Sequence, residues 1–194
     1  MNSAERIKIL DVGGFDGALA LFLGGPEEQE KIQVEVVDTA TTGGTGMRID
    51  LEDQTCAIVV AVDVLEHVPP EQRAEFLTEL SRVTREFLIL NFPSSGTKEA
   101  QKLVLDLTGN QFVKEHVEYG LPDYQEVVKE MQARGFSTDL VAHYGNAAVW
   151  VSQFVLAHTS EQAKATASFL VRQHADEKSA VPLYDLIRCQ RFIP

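Results

Sequence analysis

Short apolar runs and amphipathic stretches alternate along this chain, and the change of period from two to about 3.6 marks where strands give way to helices. The opening run Ile7-Lys8-Ile9-Leu10-Asp11-Val12 predicts a strand over 8–12, broken at Gly13-Gly14. Residues 18–23 are wholly apolar and read as a helix that stops at Gly24-Gly25-Pro26. A second strand is expected over 33–37, ending at Asp38. The Thr- and Gly-rich stretch 39–46 is a loop, and 47–51 a short third strand.

Ala57-Ile58-Val59-Val60-Ala61-Val62 is continuously apolar, as a strand buried on both faces must be. Pro69-Pro70 then opens a helix with Phe76, Leu77, Leu80 and Val83 on one side and Glu75, Glu79 and Arg82 on the other. A fifth strand is predicted over 87–91. Pro122 opens a helix whose stripe is Tyr124, Val127, Val128 and Met131, ending at Gly135, and a sixth strand follows over 137–144. Residues 147–158 read as a buried helix, and 159–174 as another with Thr159 and Gln162 as a capping box. Residues 184–192 are a last strand, antiparallel and beside the fifth. The alternation predicts an α/β, Rossmann-like, doubly wound fold: a seven-stranded, mostly parallel sheet with helices on both faces. It forms one domain over 1–194, with a helical segment at 147–178.

The formal charge of −12 turns the chain away from phosphate-rich partners, so no nucleic acid is expected. No run approaches the roughly 18 apolar residues of a membrane span. The opening Met-Asn-Ser-Ala-Glu-Arg has no apolar leader core. Cys56 and Cys189 are too few for a disulfide framework, and a reduced, cytoplasmic setting is the simplest expectation.

The chemistry gathers at the ends of the predicted strands. Asp11, Gly13, Gly14 and Gly17 surround the turn after the first strand, where glycines let backbone approach a bound molecule. Asp38 follows the second strand, and Asp63-Val64-Leu65-Glu66-His67 follows the buried one. Each has a plainer alternative. Gly13 and Gly17 can serve only a tight turn, Asp16 a helix cap, and Glu66 with His67 the start of the next helix. Asp63, Glu66 and His67 also have the spacing to share a helix face as metal ligands, with His116 as the one evident further donor. The expectation is that no metal is bound.

Asp11-Val12-Gly13-Gly14-Phe15-Asp16-Gly17, with these acids at the following strand ends, resembles the class I S-adenosylmethionine (SAM)-dependent methyltransferases. Phe15 stands where that family's first motif usually has its middle glycine. The resemblance is best supported from Lys8 to Pro93. It implies the strand order 3-2-1-4-5-7-6 with the last strand antiparallel, and SAM as cofactor. Asp11 and the carbonyls of Gly13 and Asp63 would receive the ammonium, and Asp38 the ribose hydroxyls. Asp50 and Leu51 would flank the adenine. His67 is the expected catalytic base for a hydroxyl acceptor, with Glu66 orienting it.

The stretch 115–122, with Gly145, Asn146 and Trp150, is similar to the acceptor region of methyltransferase modules tied to bacterial glycosyltransferases. The implied acceptor is therefore a small molecule or glycan. Implied partners are a second copy of the chain or a fused or associated glycosyltransferase. Trp150 reads equally as a core residue. With so little chain before the first strand, the pocket is expected to be open, or lidded by the C-terminal helices or a partner. Two other readings stand beside this one. A non-catalytic interaction module would keep the fold, and a nicotinamide-dependent oxidoreductase would need a Gly-x-Gly-x-x-Gly spacing that is absent here.

Overall fold

The computed structural model describes residues 6–15, 17–157, 159–174 and 181–192. The elements run β1 (Ile7–Val12), α1 (Leu19–Phe22), α2 (Pro26–Gln29), β2 (Ile32–Val37), β3 (Cys56–Val62), α3 (Arg73–Val83) and β4 (Thr84–Pro93). They continue with α4 (Lys98–Thr108), α5 (Gln111–Tyr119), α6 (Tyr124–Ala133), β5 (Phe136–Tyr144), α7 (Ala147–Ala157), α8 (Glu161–His174) and β6 (Tyr184–Arg191).

Among the described residues the sheet has six strands in the order β2-β1-β3-β4-β6-β5. β2, β1, β3 and β4 pair in parallel, and β6 enters antiparallel to both β4 and β5. The inserted last strand is as the sequence predicts. The seventh strand is not: 47–51 makes no ladder. Its backbone is satisfied from α3 instead. The Ile49 N–H donates to Glu79 Oε1 at 2.6 Å, and Arg82 donates to the carbonyls of Ile49 and Leu51 at 2.9 and 2.7 Å. Those groups are thereby lost to any neighbouring strand, and β2 remains the sheet's edge.

Alternate residues put Leu10 and Val12, Val59 and Ala61, and Leu88, Leu90 and Phe92 on one sheet face. There they bury against Phe76, Leu77, Leu80 and Val83 of α3 and Val127 and Met131 of α6. Both helices follow the predicted stripes. Three other expectations need correction. α7 is half-buried rather than buried, with only Ala147 fully covered. α8 is capped by Ser160, whose hydroxyl accepts from the Ala163 N–H at 3.1 Å, not by a box on Thr159. Helices α4 and α5 occupy a stretch where no element was predicted. Asp16, His158 and 175–178 lie outside the described residues.

Candidate functional site

The turns after β1, β2 and β3 meet at the carboxyl edge of the parallel strands, the place where open α/β sheets bind ligands. Gly13 has φ +79°, and a Cβ there would sit 2.3 Å from Val64 Cγ2, so glycine lets the first turn lie on the third. A Cβ on Gly14 would fall 2.2 Å from Asp11 Oδ2. The Asp11 carboxyl is thus tucked beneath the turn, and burial raises its pKa. Phe15 takes φ +38° and is 61% exposed. Its carbonyl accepts from Thr41 Oγ1 at 2.9 Å, joining the first turn to the second. Asp38 Oδ1 accepts from the N–H groups of Ala40 and Thr41 at 2.9 and 3.0 Å, which fixes that carboxylate in place.

Between these turns lies a cavity of about 670 Å³, lined among others by Gly13, Asp38, Met47, Asp63, His67 and Phe112. Phe15 does not line it. Of the residues expected to hold a cofactor, Gly13, Asp38 and Asp63 reach the cavity, while Asp11, Gly14 and Gly17 build the turn behind it. Asp50 is not brought there. It borders a different hollow with Arg48, Glu79 and Arg82, and Leu51 packs on the core.

A smaller hollow of about 200 Å³ shares Asp63, His67 and Phe112 with the larger one. Its other walls include Glu66, His116, Trp150 and Tyr184. Asp63 adopts φ +53°, a left-handed conformation that a non-glycine residue rarely takes. Asn91 holds it there: the Asp63 N–H donates to the Asn91 backbone carbonyl at 2.9 Å, and Asn91 Nδ2 donates to Asp63 Oδ1 at 3.2 Å. Tyr144 in turn donates to Asn91 Oδ1 at 2.6 Å.

Two histidines face each other across this wall. His67 sits on the 3₁₀ turn Leu65–His67 and His116 on α5, with Nε2 atoms 3.3 Å apart. Each is held from behind at Nδ1, His67 by Glu115 Oε2 at 2.6 Å and His116 by Gln101 Oε1 of α4 at 3.0 Å. Asn110 caps α5 through the N–H groups of Phe112 and Val113. Arg73 donates to the carbonyls of Val68 and Gly120 and so binds both ends of the assembly together. Glu66 is fully buried below, and neither carboxyl oxygen has a hydrogen-bond partner. Burial, with Asp63 nearby, pushes its pKa up to about 8. Burial and the adjacent His67 push His116 down to about 4, so that ring is neutral at pH 7. Ligand atoms of Glu66, His67 and His116 all lie within 4.8 Å of one another.

Sequence reasoning placed Asp63, Glu66, His67, His116 and Trp150 near a site. It missed Gln101, Phe112 and Asn91, and gave Glu115 no role. The Gly109-Asn110 pair, a left-handed helix end followed by a helix cap, was the signal that α4 and α5 exist.

No protein-family model matches this sequence, and none of the curated proteins matches it. Solved structures do. An SAM-dependent methyltransferase from Archaeoglobus fulgidus superposes with a TM-score of 0.60 at 13% identity, covering 97% of this chain and 87% of that one. Magnesium protoporphyrin IX methyltransferase from Synechocystis, solved with bound S-adenosylhomocysteine (SAH), gives 0.56 at 15% identity over 98% and 76%. The [4+2]-cyclase SpnF gives 0.56 at 12% identity over 99% and 77%. The shared property is the α/β Rossmann-like methyltransferase fold, with a mixed sheet. Among the described residues no helix is long and apolar enough to cross a membrane.

Proposed function

We propose that this chain transfers a methyl group from SAM to the hydroxyl of a small molecule or glycan. The observation that carries the reading is the larger cavity, at the strand ends, open past Phe15 and flanked by Gly13 and Asp38. Its described lining holds Asp38, Asp63 and Glu115 but neither lysine nor arginine. That suits a cofactor carrying a sulfonium and an ammonium, and does not suit the pyrophosphate of a nicotinamide dinucleotide. Methyltransferases of this fold, one of them with bound SAH, add weight; a cyclase on the same fold keeps fold alone from deciding it.

In this reading Gly13 lets the methionine portion lie on the backbone, Asp38 accepts the ribose hydroxyls, and Asp63 receives the ammonium. Asp11, Gly14 and Gly17 hold the turn that presents Gly13. The acceptor occupies the smaller hollow, where Trp150 and Tyr184 provide faces for a sugar or other small ring. Its volume of about 200 Å³ fits one such ring rather than a polymer segment. Methyl transfer is an in-line displacement at carbon, so positioning and exclusion of water supply most of the acceleration. His67, with Glu66 beneath it, stands where the hollows meet and receives the acceptor's hydroxyl.

Calorimetric titration with SAM, SAH and NAD⁺ tests this. Saturable binding of the first two and none of the third is expected. Folded protein that binds neither SAM nor SAH contradicts the reading. Binding without turnover on a panel of glycan and small hydroxyl acceptors instead supports a non-catalytic module.

A further inference from the structure

We infer that Glu66, His67 and His116 hold a divalent first-row transition cation such as Zn²⁺, Mn²⁺ or Co²⁺. Its open coordination position faces the smaller hollow.

The direction of the hydrogen bonds makes the argument. Glu115 and Gln101 Oε1 can only accept, so each histidine must donate from Nδ1. That leaves the two Nε2 atoms facing each other across 3.3 Å, in the position of a pair of metal ligands. The third group, Glu66 Oε1, lies 3.9 Å from His116 Nε2, fully buried and with no hydrogen-bond partner. Three potential ligand atoms thus lie within 4.8 Å of one another, and a cation among them gives the buried Glu66 oxygen the partner it lacks. Imidazoles backed at the far nitrogen by a carboxylate or carbonyl are the usual support for metal ligands.

The spacing of the two imidazoles agrees: metal–nitrogen bonds of about 2.0–2.1 Å at the tetrahedral angle set ligands roughly 3.3–3.4 Å apart, against the 3.3 Å found. Glu66 Oε1, 3.9 Å from His116 Nε2, has to move inward to complete the set. Two imidazoles and one carboxylate select a transition cation over magnesium, which favours oxygen ligands. The sequence had suggested Asp63 for such a set, but its carboxylate is engaged by Asn91, and His116 takes its place.

Binding of the ion stands on this geometry alone; its use in methyl transfer rests on the function proposed above. An acceptor hydroxyl at the open position becomes more acidic and releases its proton to solvent. The oxygen then forms the bond to the methyl carbon as the carbon–sulfur bond breaks, its electron pair staying on sulfur. His67 is then a ligand of the ion rather than the proton's receiver.

The test is titration of chelator-treated protein with Zn²⁺ and Co²⁺ by calorimetry, with the visible spectrum of the Co²⁺ form as a second readout. One ion per chain is expected, with Co²⁺ bands typical of nitrogen and oxygen ligands. Glu66→Gln and His116→Ala should each weaken binding more than tenfold. Gln101→Ala, which removes only the support of His116, should weaken it by about tenfold. His143→Ala, at a separate Asp185 pair, should leave it unchanged. Glu66→Gln is nearly isosteric and removes a buried unpartnered carboxyl, so it retains the fold. Absence of saturable binding, or affinity in Glu66→Gln and His116→Ala equal to that of the natural chain, overturns the inference. SAH titrated into the same samples separates the two claims. SAH binding without metal binding refutes the ion alone, and metal binding without SAH binding refutes methyl transfer alone.

Discussion

His67 and His116 meet Nε2 to Nε2 at 3.3 Å, although 48 residues of intervening chain pass through α3, β4 and α4 and into α5 before the second ring arrives. The contact joins the turn after β3 to helix α5 at the wall between the two hollows. His67 lines both hollows, and His116 the smaller one.

Replacing His67 by Ala should therefore lower methyl transfer by roughly 10²-fold or more, while SAH affinity changes little. Steady-state kinetics beside calorimetry checks this. Undiminished turnover would reduce His67 to a structural residue.

Asp38 is fixed by the N–H groups of Ala40 and Thr41 rather than left to swing in solvent. Asp38→Ala should weaken SAH binding by about tenfold, the effect of losing a charge-assisted hydrogen bond. Unchanged affinity would remove Asp38 from the ribose.

Phe15 bears on the same cavity in the opposite sense. Its ring is exposed and its φ of +38° is one glycine takes freely. Phe15→Gly should leave SAH affinity within about twofold and leave thermal stability unchanged or raised, since left-handed backbone costs a non-glycine residue about 1 kcal/mol. A large loss of affinity would mean that the ring lies against the nucleoside.

The strand ends of β1 and β3 and the stripes of α3 and α6 were legible because burial on one side enforces a clean period. Helices α4 and α5 carry equally one-sided apolar faces, and what marks them in the sequence is the left-handed end at Gly109 followed by the Asn110 cap rather than a proline or a long apolar run. Asp50 and Leu51 are a different case. The family resemblance implies a place beside the adenine, while Glu79 and Arg82 hold that segment against α3 and Asp50 borders a separate hollow. Such long-range side-chain to backbone bonds leave no periodic trace. His116 was legible as a further donor beside His67, but the direct contact of their Nε2 atoms was not, since it depends on where α5 docks.

That Glu79–Arg82 clasp carries its own prediction. The Arg82 hydrogen bond holds Glu79 below the ordinary glutamate value of 4.5. A depressed folded pKa adds stability that is present above the unfolded value and is lost as pH falls through the folded one. The melting temperature of the natural chain should thus fall more steeply below about pH 4.5 than that of Glu79→Gln. Arg82→Ala should cost about 2 kcal/mol at neutral pH by leaving the Ile49 and Leu51 carbonyls without their donor. Parallel pH profiles for the two proteins would contradict the assignment.

A crystal structure grown with SAH is the most direct measurement of the central claim. The account predicts the nucleoside in the larger cavity, its ribose on Asp38, its methionine portion along Gly13 and its sulfur turned toward His67. A nucleoside bound elsewhere, or a sulfur facing away from the smaller hollow, would contradict it.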